Sequence, residues 1–218
     1  MRGWDGTMSE RGPAALYALV ERNLLAEIFG DEMRRENLAE VTNRGLLLRA
    51  LRGQVSAEWF DDVSTPAHEN RAEIVGRALA AAWRETRERW GQRPEGWKWG
   101  AMHPFHLRHR LDAMPIYGAW ARRGPFPMPG SATTVLAFGG HWEGGDYEIT
   151  YGPSMRWIVD WSHPEAALAV LPGGQSGHPA DLHYDDQIAL YLEGGYHEAP
   201  WSEEAIARAA VSTLRLVP

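Results

Sequence analysis

Gly152-Pro153-Ser154-Met155-Arg156-Trp157-Ile158-Val159-Asp160-Trp161 opens the stretch whose reading decides the fold. It continues through Leu171-Pro172-Gly173-Gly174-Gln175-Ser176-Gly177-His178-Pro179 to His183-Tyr184-Asp185-Asp186-Gln187. Met155, Trp157, Val159 and Trp161 alternate with Arg156, Ile158 and Asp160, the period of two that predicts a strand. Ala167 to Leu171 is a second, shorter apolar run, and Ser162 to Glu165 between them suits a hairpin connection. The loop from Pro172 to Pro179 holds three glycines and two prolines, which implies a special and reproducible backbone path. Asp185 to Glu193 predicts a helix with Gly194 just past its end, and Ser212 to Val217 a final strand.

Working toward the N-terminus, the chain turns helical. Tyr17, Val20, Leu24 and Ile28 fall on one face of a helix from Pro13 to Phe29, with Gly30 as its stop. Asn43 to Leu51 predicts another helix. A third is expected from Thr65 as N-cap and Pro66 at the first position, carrying Val75, Leu79, Ala82, Trp83, Thr86 and Trp90 as its apolar stripe and ending at Gly91. Residues 91–130 are punctuated by glycine and proline and read as irregular, aromatic-anchored chain. Strands are expected at Thr133 to Phe138 and Asp146 to Thr150, and Trp201 and Ile206 flank Ser202 as a hydrophobic staple around an N-cap. The expectation is one α+β segment: residues 1–95 mainly helical, 96–130 irregular, and 131–218 mainly antiparallel strands with two short helices.

Composition excludes several function classes. The 218 residues are 44% hydrophobic and 23% charged, the proportions of a globular chain able to bury a core. A net charge of −7 argues against a nucleic-acid partner, which needs concentrated Lys and Arg. With no cysteine there are no disulfides, thiolate metal sites or Cys nucleophiles. Residues 1–12 are polar, so no signal peptide is expected there, and no apolar run approaches membrane-spanning length.

Three groupings could carry chemistry. His103, His106 and His109 are close in sequence, but Pro104 interrupts a regular helix and no nearby carboxylate completes a metal shell, so structural histidines are the simpler reading and no metal is expected. Gly174-Gln175-Ser176-Gly177-His178 invites a serine-hydrolase reading, yet the fifth position of the nucleophile elbow is His178 rather than glycine and Pro179 follows. A Ser176–His183–Asp186 triad would then need geometry that spacing does not supply. Asp185 and Asp186 could bind a cation, but placement at a helix N-terminus accounts for them.

The motifs at 152–160, 172–179 and 183–187 resemble the closing part of penicillin acylase family enzymes. Trp4-Asp5-Gly6, Trp59-Phe60-Asp61-Asp62 with Thr65-Pro66 and Glu69, and Trp97-Lys98-Trp99-Gly100 with His103 follow in the same order as in that family. The resemblance implies an N-terminal nucleophile hydrolase with a four-layer αββα sandwich, of which this chain would be a part. It implies a precursor cut into α and β chains, and a serine at the β-chain start whose own amino group acts as base. Backbone N–H and an asparagine side chain would stabilise the oxyanion. Substrates would be N-acyl amides, including penicillins, acyl-homoserine lactones or lipopeptides. This chain resembles only the C-terminal portion of the β chain: Met1 is not a nucleophile and Ser9 is internal. No catalytic residue is therefore carried over. Arg156, Gln175, Ser176, His183 and Asp186 match motif positions and are assigned structural roles, holding loop geometry and buried polar contacts. No cofactor is implied, and the expected partner is the remainder of the acylase, or self-association through exposed apolar surface. A stand-alone interaction module derived from the family is the competing expectation. Family members are usually exported, which leaves the compartment of this chain open.

Overall fold

The computed structural model describes residues 3–39, 41, 43–140 and 147–216. The fold is α+β, as expected, with two small antiparallel sheets. The chain divides into two compact units: Met1–His106 with Gly124–Gly152, and Leu107–Arg123 with Pro153–Pro218.

The first unit is built on α1 (Ala14–Arg35) packed against α3 (Arg71–Trp90), with α2 (Arg44–Leu51) and the short α4 (Trp99–Met102) beside α1 or following in chain order. Ala14, Ala15, Ala18 and Leu19 of α1 share one buried cluster with Ala82 of α3, Trp97, Trp99 and Tyr147. Ile28 and Phe29 share a second with Leu47, Phe60, Ile74 and Ala78. Each such large apolar side chain contributes roughly 1.5–3 kcal/mol by leaving water, so these two clusters dominate the unit's stability. Arg44 Nη2 lies 2.9 Å from Glu21 Oε2, yet burial pushes the Glu21 carboxyl up to about 7.

Several sequence expectations are corrected here. α1 runs through Gly30 to Arg35, because the buried Ile28 and Phe29 hold it across the glycine. Its stop is Asn37 at φ 53, where the Leu38 N–H reaches back to the Met33 carbonyl at 2.8 Å. α3 begins at Arg71, not at Thr65 and Pro66. Asn70 and Glu73 form a capping box, while the chain before them is tied down by its own carboxylates. Asp61 Oδ1 accepts from the Glu69 N–H at 3.0 Å, and Arg77 pairs with Asp62 and Glu69. The enclosed stripe of α3 is Ile74, Ala78, Ala82 and Thr86, whereas Leu79 and Trp83, expected inside, are exposed.

The punctuated region is less irregular than its composition suggests. It carries α4, β1 (Pro104–Leu107), α5 (Pro115–Ala121) and β2 (Arg123–Pro127), and β1 pairs with β2. Conversely, Thr133 to Phe138 forms no strand, and Tyr147 to Thr150 contributes only isolated bridges such as Phe105 with Ile149. Asp146 lies outside the described residues. A strand needs a neighbour to pair with and a layer to cover it, and Val135 is fully exposed.

The second unit holds β3 (Arg156–Ile158), β4 (Leu168–Val170) and β5 (His197–Glu198) in a sheet of that order. β3 pairs antiparallel with β4, Trp157 opposite Ala169. α6 (Ile188–Leu192) and α7 (Glu203–Ala209) complete it, the latter capped by Ser202, whose hydroxyl accepts from the Ala205 N–H. The strand and helix over 155–161 and 185–193 are thus present but shorter than expected. Ser212 to Leu216 forms no strand, and Val217 lies outside the described residues. Among the described residues no helix is long and apolar enough to cross a membrane.

Candidate functional site

The loop from Pro172 to Gln187, in the second unit, gathers most of the motif residues. Its two arms are joined by backbone: the Ser176 N–H donates to the His183 carbonyl at 3.0 Å, and the Gln187 N–H to the Gly173 carbonyl at 2.9 Å. Gln187 Oε1 also accepts from the Leu171 N–H at 2.8 Å, tying the loop's exit to the end of β4. Gly174 sits where the arms meet. A Cβ built there would overlap the His183 carbonyl oxygen and Asp186 Oδ1. The glycine is thus needed for a close approach of backbone to backbone rather than for a left-handed turn.

On this frame His183 Nδ1 lies 2.7 Å from Asp186 Oδ2, and the His183 N–H donates to Asp181 Oδ1 at the same distance. The hydrogen bond to Asp186, with its charge, raises the His183 pKa above the ordinary imidazole value. The pair resembles the base and orienting carboxylate of a triad. Ser176 does not complete it: its Oγ accepts from the His178 N–H at 3.1 Å and makes no hydrogen bond to the His183 ring among the described residues. Gln175 is exposed. Among the described residues no hydrogen bond links the Ser176 hydroxyl to the His183 ring as a path for its proton.

Two further side chains brace the loop. Arg123 Nε donates to Asp185 Oδ2 at 2.5 Å, and its guanidinium lies 4.9 Å from the centre of the Tyr184 ring. The Tyr184 hydroxyl donates to the Ala121 carbonyl, and His109 Nε2 lies 3.1 Å from the Gly177 carbonyl oxygen. Arg156, on β3, does a different job. Its Nη2 donates to the Tyr191 carbonyl at 2.6 Å while the guanidinium stacks over the Tyr191 and Tyr196 rings, which fastens α6 to the sheet. Arg123 escaped the sequence reading, and His109 was expected only as a structural histidine with no partner named. The only signal available was their place in the punctuated segment, since Asp185 lies 62 positions from Arg123.

The three histidines have separate fates. His103 is enclosed in the first unit, stacked on Trp99 at 4.6 Å with Nδ1 3.0 Å from the Tyr147 carbonyl, and burial lowers its pKa. His106 belongs to the same unit, whereas His109 belongs to the second. No cluster of His, Asp and Glu able to hold a metal occurs among the described residues. An apolar cavity of about 590 Å3 in the first unit is lined by Trp4, Leu16, Trp83 and Trp97. Two of its indole N–H groups are spent on the Thr7 and Gly91 carbonyls, and Asp5 and Gln92 add polar groups to its wall.

The family model described as penicillin amidase matches residues 1–208. The chain is 32% identical over 231 residues to the acyl-homoserine lactone acylase QuiP of Pseudomonas aeruginosa, covering 95% of this chain and 27% of that protein. It is 30% identical to the enzyme of the same name from Pseudomonas fluorescens, over all of this chain and 27% of that one. It is also 35% identical over 121 residues to the penicillin acylase 2 proenzyme of a Pseudomonas species, covering 55% of this chain. The chain therefore spans about a quarter of the length of the curated relatives it matches first. With the match running over nearly its whole length, the chain belongs to the penicillin amidase family.

Proposed function

We propose that this chain is a scaffold portion of an N-acyl amide hydrolase of the acyl-homoserine lactone acylase type, and that it does not hydrolyse amides by itself. The observation that carries this reading is the arrangement of the 172–187 loop. His183 and Asp186 are paired and accessible, but Ser176 Oγ is committed to the His178 N–H instead of to the imidazole. A serine with no base to take its proton is a weak nucleophile. Arg156, Gln175, Ser176, His183 and Asp186 accordingly act as structure: Arg156 fastens α6, the Ser176 and His183 backbones close the loop, and Asp186 orients His183. The nucleophile is supplied by the part of the family's longer proteins that this chain does not match. The names of the relatives point to acyl-homoserine lactones as the substrate class, and the match to a penicillin acylase keeps penicillin side-chain amides as a second one.

The test is direct. Purified chain is incubated with an N-acyl-homoserine lactone and with a penicillin, and release of the free amine is followed. No turnover is expected. Turnover that disappears in Ser176→Ala would overturn the proposal and install Ser176 as a nucleophile.

A further inference from the structure

We infer that the tryptophan-walled cavity of the first unit is a binding site for a small quaternary ammonium cation of the choline type. Its walls use no residue of the 172–187 loop, so this site stands apart from the scaffold reading.

Trp4, Trp83 and Trp97 line the cavity with Leu16, and Asp5 and Gln92 add polar groups. Its volume of about 590 Å3 is that of a small-molecule site. Trp83 and Trp97 meet edge to face, with ring centres 5.9 Å apart. Trp97 is 3% exposed and Trp83 41%, so one indole is set into the floor and the other stands at the mouth. The rings are held from behind. The Trp4 indole N–H donates to the Thr7 carbonyl and the Trp97 indole N–H to the Gly91 carbonyl, each at 3.1 Å. Trp83 is carried by α3, next to the enclosed Ala82. With two of the three indole donors spent, the walls offer mainly ring faces. A ring face is the negative side of the aromatic quadrupole, and it attracts a cation within about 6 Å of the ring centre.

The charge of the lining has the matching sign. Among the described residues the cavity is lined by one carboxylate, Asp5, and by no Lys, Arg or His. Asp5 Oδ1 accepts from the Thr7 N–H at 2.8 Å, and the hydrogen bonds from Thr7 hold its carboxyl below the usual range, so it is ionised at neutral pH. Thr7 thus places two parts of the site at once, Asp5 through its amide and Trp4 through its carbonyl. Basic groups gather instead in an adjoining hollow that shares Trp83 and Gln92, where Arg84 and Arg87 stand with Glu88. An anion finds its donors there and none in the tryptophan cavity beyond the Gln92 amide. The chemistry of the wall also selects among cations. A metal ion needs several oxygen ligands, and a primary ammonium needs three acceptors. A quaternary ammonium needs neither, because its charge is spread over methyl groups that pack directly on indole faces.

The experiment titrates the purified chain with choline in a calorimeter and repeats the titration with dimethylbutanol, the uncharged isostere of the same shape. Saturable binding of choline is expected, with the isostere weaker by at least about tenfold. Trp83→Leu keeps an apolar wall but removes a ring face, and should weaken choline by at least about threefold. Asp5→Asn keeps the oxygen that accepts from Thr7, and should weaken it by about two- to fivefold, the scale of an exposed charge pair. Trp161→Leu, in the second unit, leaves binding unchanged. Circular dichroism confirms that each variant is folded. Equal affinity for choline and its isostere overturns the inference, since the cavity is then a plain apolar slot. So does the absence of saturable choline binding, or binding indifferent to both Trp83→Leu and Asp5→Asn. Capture of the chain by phosphatidylcholine vesicles without binding of free choline also overturns it, because the group recognised then belongs to a membrane surface.

Discussion

Ile74, Ala78, Ala82 and Thr86 follow one another up α3 fully enclosed, whereas Trp157 and Ile158 of β3, and Met155 just before it, stand about half exposed. The helical pair of the first unit has its complementary surface within the same stretch of chain. In the second unit β3 pairs with β4 alone among the described residues, and Trp157 and Ile158 on its two faces are half exposed. The contrast teaches where stability resides. A helix satisfies its backbone internally and needs only a stripe of contact, while a strand depends on partners that must be brought to it.

The sharpest way to break this comparison is in the helical core. Ile74→Ala removes a fully buried side chain between α1, α2 and the 57–60 turn, and should cost about 2–5 kcal/mol in denaturant unfolding followed by circular dichroism. A loss below about 1 kcal/mol would mean that the site collapses freely and that the core is not the rigid half of the molecule.

The next effect probes the second unit at its tightest point. Gly174→Ala places a methyl group against the His183 carbonyl and Asp186, and should destabilise by about 1–3 kcal/mol through overpacking. Hydrogen exchange should locate the disturbance in residues 172–187 and leave α1 and α3 protected. A variant as stable as the parent would show that the two arms of the loop are not held together as described.

These two sites also show how much could be read before the fold was known. α3 was legible as a helix and its inward face in part: Ala82 and Thr86 are enclosed as expected, while Ile74 and Ala78 take the places given to Leu79 and Trp83. Leu79 and Trp83 outweigh Ala78 in any hydrophobic count, yet the small Ala78 sits with Ala82 on the line where α1 approaches. Its start was misplaced for a related reason. Thr65 and Pro66 carry the local signature of a helix N-terminus, and a hydrogen-bonded net of Asp61, Asp62, Glu69 and Arg77 overrides it. The Gly-rich loop was legible as a loop that needs its glycines, and Gly174 bears this out by close approach. The braces Arg123 and His109 were not, because each meets its partner more than sixty positions along the chain, at 62 and 68. The strands expected at 133–138 and, over its described residues, at 212–216 met the requirement of pattern without that of a neighbour. That is the comparison's own lesson.

A smaller effect concerns His183 and Asp186, both largely in water. The hydrogen bond to Asp186 raises the His183 pKa, so its contribution to stability is fully present below the ordinary value of ~6.5 and is lost as pH rises through the raised value. An NMR titration should place the His183 imidazole above that ordinary value, and Asp186→Asn should bring it back down. An unchanged midpoint in Asp186→Asn would show that the pair does not orient the imidazole. If the second unit is held by such local contacts more than by a core, Asp186→Asn should also speed exchange of the Ser176 amide, which bonds to the His183 carbonyl.

The smallest expected effect carries the most information about β3. Tryptophan is among the costliest residues to remove from a packed interior, at about 3–5 kcal/mol. Yet Trp157→Ser in the isolated chain should change the unfolding free energy by no more than about 0.5 kcal/mol, the usual range for a surface site, because half of the ring already meets water. Trp99, enclosed against His103 and Tyr147 with its indole N–H bonded to the Gly130 carbonyl, is the internal control, and Trp99→Ser should unfold the first unit. A large loss at Trp157 would mean that β3 already has its cover within this chain, and the contrast between the two units would disappear. A negligible loss, beside a severe one at Trp99, would show that the chain holds tryptophans of two kinds. One kind is enclosed in the fold, and the other stands half exposed on a strand that pairs on one side only among the described residues.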